Sequence, residues 1–70
     1  MDTLQIKDEF IKLGQAMKLA NLVESGIDAK FAIHDGLVLV NGKTQLQRGK
    51  KLYDGDTFKF DNQEFKIKGK

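Results

Sequence analysis

Between Ser25 and Gly42 the sequence SGIDAKFAIHDGLVLVNG starts a helix, stops it, runs an apolar strand and reverses the chain, with no linker in between. Ser25 and Asp28 form a capping-box-like pair, with Asp where Glu or Gln is usual, so the serine hydroxyl can accept from a free first-turn N–H. Ala29, Ala32 and Ile33 recur at helical spacing as a narrow buried stripe. Gly36 is the expected stop, because only glycine enters the left-handed region without a Cβ penalty. Leu37 to Val40 is apolar on both faces and reads as a strand covered by helices on one side. Asn41-Gly42 is a strong hairpin signal, since a type I′ turn needs positive φ at both positions.

The flanking segments complete an α+β pattern. Thr3 to Lys7 alternates, with Leu4 and Ile6 on one side, and reads as a short strand. Asp8 is the candidate N-cap of a first helix, in which Phe10, Leu13, Met17 and Ala20 recur at helical spacing and Ile11, Leu19 and Leu22 widen the stripe. That helix is expected to end near Asn21, and Gly14 within it is read as a point of close packing. The alanines of the second helix would let the two helices approach closely as a helix-loop-helix. Beyond the basic loop flanked by Leu46 and Leu52, Asp54-Gly55-Asp56 marks a turn. Thr57 to Phe60 and Glu64 to Lys68 then alternate around Asp61-Asn62, with Phe58, Phe60, Phe65 and Ile67 facing inward. The expected architecture is a helix-loop-helix packed on a small, mostly antiparallel β-sheet, in one domain spanning residues 1–70.

Charge separates the two parts of the chain. Residues 1–42 hold four lysines against six carboxylates, whereas residues 43–70 hold eight basic residues against four acidic ones. No acid falls between Lys43 and Lys51. Such asymmetry points to a polyanionic partner. Lys12 and Lys18 are read as bracketing Gln15 on the polar flank of the first helix, and Lys30 shares a face of the second with His34. Lys43, Arg48, Lys50 and Lys51 would extend the same positive surface, the lysines as point charges on phosphate and Arg48 as a bidentate fork. Lys59, Lys66, Lys68 and Lys70 read as solubilising residues.

Other chemistries find little support in the sequence. There is no cysteine and a single histidine, so no disulfide, thiolate metal site or cofactor is expected. Ser25, His34 and Asp35 lie along one helix and its cap, which is not triad geometry. The chain is therefore expected to be non-catalytic. No apolar run reaches the ~20 residues of a membrane span and no signal pattern opens the chain, which points to a cytoplasmic protein without a membrane partner. With no tryptophan, one tyrosine and the five phenylalanines at periodic apolar positions, the aromatics are read as core rather than as a base-stacking platform.

Lys12-Leu13, Ser25, Ala29, Ile33, Gly36, Val38, Val40-Asn41-Gly42 and Gly55-Asp56 together resemble the S-four-type RNA-binding domain, also called the alpha-L motif. The resemblance spans roughly residues 10 to 60, and it is the order and spacing of its weak pieces that make it specific. Lys12 stands for the usual arginine, Gly14 for an aspartate, and Gly26 for the arginine of the Ser-Arg pair. The Ser-Gly-x-x-Ala-Lys form is similar to the stand-alone YbcJ/YaaA-type branch, in which Lys30 could take over part of the missing arginine's role. The resemblance implies RNA binding through the helix pair and adjacent loop, most often to ribosomal RNA, otherwise to transfer RNA, with ribosomal proteins as further partners of a monomer. The competing expectation is an adaptor that uses the same surface for an acidic protein.

Overall fold

A computed structural model describes residues 1–70. The chain order is β1 (Asp2–Gln5), β2 (Phe10–Lys12), α1 (Leu13–Leu19), α2 (Gly26–His34), β3 (Val38–Val40), β4 (Lys43–Thr44), β5 (Lys51–Tyr53), β6 (Thr57–Phe60) and β7 (Gln63–Lys68). Five strands form one sheet in the order β1-β7-β6-β3-β4, in which only β1 and β7 run parallel. β2 and β5 form a separate antiparallel ribbon. This is the α+β fold expected, two helices on a mostly antiparallel sheet.

The local signals acted as their chemistry requires. The Ser25 hydroxyl accepts from the Asp28 N–H at 3.2 Å, capping α2. α2 ends with Gly36 at φ +76°, the Gly36 N–H donating to Ile33 O and the Leu37 N–H to Ala32 O. That pair of bonds is a Schellman motif. α1 closes the same way: Asn21 takes φ +60°, its N–H reaches Lys18 O, and the Leu22 N–H reaches Met17 O. Asn41 and Gly42 both have positive φ, as do Asp61 and Asn62, giving two-residue turns between β3 and β4 and between β6 and β7. Asn41 also ties the turn to the next hairpin. Its Oδ1 accepts from the Thr57 N–H at 3.0 Å and its Nδ2 donates to Asp56 Oδ1 at 3.1 Å.

One core joins the layers. Leu13, Ala16 and Met17 of α1 and Ala29, Ala32 and Ile33 of α2 pack with Val38, Val40, Phe58, Phe65 and Ile67 of the sheet. Phe58 and Phe65, cross-strand partners, stack with ring centroids 5.4 Å apart. Fully burying a Leu, Ile or Phe is worth about 1.5–3 kcal/mol each, and all of Leu13, Ile33, Leu52, Phe58 and Ile67 are at most 1 % exposed.

The first helix differs from the sequence expectation. It begins at Leu13, five residues after Asp8, and Asp8 caps nothing. Phe10 and Ile11 instead pair with Tyr53 and Leu52 across the β2–β5 ribbon. Tertiary pairing has overridden a helical pattern that was weak locally. The start of α1 is satisfied by the main chain of the basic loop: the Leu13 N–H donates to Lys50 O at 2.8 Å and the Gly14 N–H to Arg48 O at 3.1 Å. Leu19, expected in the buried stripe, is instead 55 % exposed.

Candidate nucleic-acid interface

The two bonds from α1 to the loop fix the main chain of Arg48 and Lys50 against the helix start. Further bonds fix the rest of the loop. The Gln45 N–H donates to Val38 O, the Gln47 N–H to Gln45 Oε1, and the Lys50 N–H to Gln47 O. The basic segment is therefore a braced element, with its cations displayed from defined backbone positions.

Bracing brings together residues far apart in the chain. Lys12, Gly14, Gln15, Lys18, Gly26, Arg48 and Gly49 line one open groove of about 340 Å³, without a hydrophobic side chain among them. Its walls are the start and outer face of α1, the start of α2 and the loop. Three of its residues are glycine. Gly14 is the decisive one: a Cβ there would come within 2.7 Å of Arg48 Cγ and 3.3 Å of Cδ. The arginine stem thus lies directly over the helix backbone, and any side chain at position 14 would displace it. At Gly26 the situation is reversed. A Cβ would meet nothing within 4 Å, so a side chain at position 26 would extend into open space.

The seven candidate cations divide by place. Lys12, Lys18 and Arg48 share the groove, Lys12 from the end of β2 rather than from the helix expected. Lys51 sits directly opposite Lys12 in the ribbon, and Lys50 adjoins it. Lys30 is exposed one helical turn beyond Gly26, so it continues the α2 wall. Lys43 opens β4, whose Thr44 lies by Gly36 at the far end of α2, about 15 Å along the helix from Gly26. It does not reach the groove. His34 is exposed in the last turn of α2, at the opposite end from the Ser25 cap.

Two surfaces went unread in the sequence. On α2, Ile27 and Phe31 are 65 % and 61 % exposed and alternate around the helix with Lys30 and His34. On the ribbon, Phe10 is half-buried and Tyr53 exposed, with ring centroids 5.8 Å apart. The phenylalanines are therefore not all core. Phe31 gives no separate sequence signal because the stripe of Ala29, Ala32 and Ile33 already fills the inner face of α2, and Phe10 gives none because its spacing continues the periodicity of the first helix.

A helix-loop-helix seated on a mixed sheet, with a braced basic loop closing a polar groove at the helix starts, defines a small binding module of the alpha-L type. The chain matches the S4 domain over residues 4–68 and belongs to that family. It is similar to the probable ribosome maturation protein RlbA of Bacillus subtilis (strain 168), 45 % identical over 53 residues that cover 76 % of this chain and 75 % of the relative.

Proposed function

We propose that this chain is a non-catalytic RNA-binding module that docks on structured ribosomal RNA in the cytoplasm during ribosome maturation. The observation that carries the reading is the groove shared by Lys12, Lys18 and Arg48, polar throughout and walled by both helices and the loop. Three cations converging on a cleft with no apolar lining suit a phosphate backbone and offer nothing to an apolar ligand. The name of the Bacillus subtilis relative supports the ribosome as the setting. Lys50 and Lys51 would grip phosphates flanking the groove, Lys30 would extend the contact along α2, and Lys43 would meet RNA running past the far end of that helix.

Crosslinking in cells followed by sequencing of the bound RNA tests the proposal. Enrichment of one structured segment of ribosomal RNA is the expected result. Uniform recovery of unrelated RNAs would overturn it.

A second reading has its own support. The outer face of α2, with Ile27 and Phe31 exposed beside Lys30 and His34, suits a protein partner with an acidic rim around an apolar patch. Pull-down with and without nuclease separates the two. Association that survives complete RNA digestion favours the adaptor, and association lost on digestion favours RNA.

A further inference from the structure

We propose that the outward face of the β2–β5 ribbon is a stacking site for one unpaired nucleotide of the RNA, an inference that rests on the RNA reading above. The register decides which side chains share that face. Phe10 stands opposite Tyr53, Ile11 opposite Leu52, and Lys12 opposite Lys51. Alternation along each strand sends Ile11 and Leu52 to one side, where Leu52 is fully buried and Ile11 packs on the core. Phe10, Lys12, Lys51 and Tyr53 therefore share the other side.

That face has the two things a nucleotide needs. The first is an aromatic surface: the Phe10 and Tyr53 rings meet at 46°, and Tyr53 remains 47 % exposed. Phe10 buttresses the tyrosine, which leaves a rigid ring available at small entropic cost. The second is positive charge beside the rings, with Lys51 over the face of Phe10. Lys51 Nζ lies 4.8 Å from the Phe10 centroid, and Lys12 across from it also lines the phosphate groove. Lys12 thus belongs to both surfaces, so a base on Tyr53 and a backbone in the groove are parts of one path.

The exposed Tyr53 ring selects a nucleotide over an acidic peptide here, and the lysines select it over an apolar ligand. The carboxylates of the adjoining turn are occupied: Asp56 Oδ2 accepts from the Tyr53 N–H at 2.7 Å, and Asp54 Oδ1 from the Gly69 N–H at 2.9 Å. Two aromatic rings flanked by two lysines offer a base a π-face and its neighbouring phosphates a counter-charge, the combination by which single strands are held.

Tyr53 is the only tyrosine and the chain has no tryptophan, so tyrosine emission reports this face alone. The test compares two synthetic RNA hairpins that differ by one unpaired adenosine bulged from the stem. The expected result is that both bind, but only the bulged hairpin quenches Tyr53 emission, and it binds more tightly. Tyr53→Leu should remove that preference, a loss of about 5- to 150-fold for one stacked base, with the affinity for the paired hairpin and the melting temperature unchanged. Tyr53→Phe should keep it. Equal affinity for both hairpins without quenching, while Arg48→Ala still weakens both, would overturn the stacking site and leave the RNA reading standing. Failure of both hairpins to bind at low salt would overturn both proposals. Because quenching is read on the unmodified protein, the proposal can fail even if a substituted ribbon does not fold.

Discussion

The side-chain stem of Arg48 lies against the bare backbone of Gly14, so close that a methyl group on the glycine would sit 2.7 Å from Arg48 Cγ. A helix start without a side chain thus sets the position of a guanidinium donated from more than thirty residues away. Gly14→Ala should shift Arg48 out of the groove. The gain in helix propensity, about 1 kcal/mol, offsets part of the packing disturbance, so stability should change little while RNA affinity falls several-fold. In an Arg48→Ala background Gly14→Ala should have no further effect on affinity, and a double-mutant cycle by fluorescence anisotropy would show that coupling. Additive losses would mean that the two residues act separately.

Phosphate contact leaves a mark on salt dependence. With about five phosphates neutralised, log K against log salt should slope at roughly −3.5 to −4.5. Replacing Lys12, Lys18 and Arg48 together with alanine should reduce the slope by about 2 to 3. All three side chains are outside the core, so the melting temperature should hold. A slope unchanged in the triple variant would remove the groove from the interface.

Gly26 offers a gain rather than a loss. Nothing stands within 4 Å of a Cβ at that position. Gly26→Arg should be accepted without a clash and add one cation at the mouth of the groove. The expected outcome is tighter binding with a salt slope steeper by about 0.7–0.9. If Lys30 carries part of the same contact, Gly26→Arg should also restore the affinity lost in Lys30→Ala. Binding titrations of the four variants decide this.

The turn residues separate by backbone angle. Gly36 sits at φ +76° at the end of α2, where an alanine costs about 1–2 kcal/mol. Gly49 has no such φ and no neighbour within 4 Å of a Cβ. Gly36→Ala should therefore lower the melting temperature by about 4–8 °C for each kcal/mol, whereas Gly49→Ala should leave it level or raise it slightly. Ser25→Ala should cost about 1 kcal/mol through the lost cap to Asp28. Thermal and urea unfolding measure all three.

These contrasts also explain what the sequence could reveal. Ser25, Asn21, Gly36, Asn41-Gly42 and Asp61-Asn62 shape the backbone within a few residues of themselves, so the cap and the turn angles are legible from local chemistry, although the side-chain bonds of Asn41 to Thr57 and Asp56 are not. The inward alternation of Phe58, Phe65 and Ile67 is legible for the same reason. Phe10 and Ile11 are different, because their strand exists only by pairing with residues 52 and 53. A helical spacing that ran through them carried no trace of that partner. The groove was half legible. Its cations stood out by charge, but the convergence of Lys12, Lys18 and Arg48 depends on two carbonyls of the loop meeting the start of α1. No periodicity encodes such a meeting.

The parallel pairing of β1 with β7 governs when this protein can become itself. Leu4 neighbours Ile67 in the sheet, and the Ile6 N–H donates to Lys68 O at 2.9 Å. A chain growing from its amino end makes β1 first and must hold it without a partner until residue 68 has been added. Leu4 and Ile6 stay in water throughout that interval, and closing a contact across sixty-three residues is entropically slow. The helix pair and the Asn41 hairpin can form early, but the sheet edge closes last. Newly made copies therefore spend their riskiest moments with an open strand edge, and loss of β7 undoes the start of the sheet as surely as its own strand.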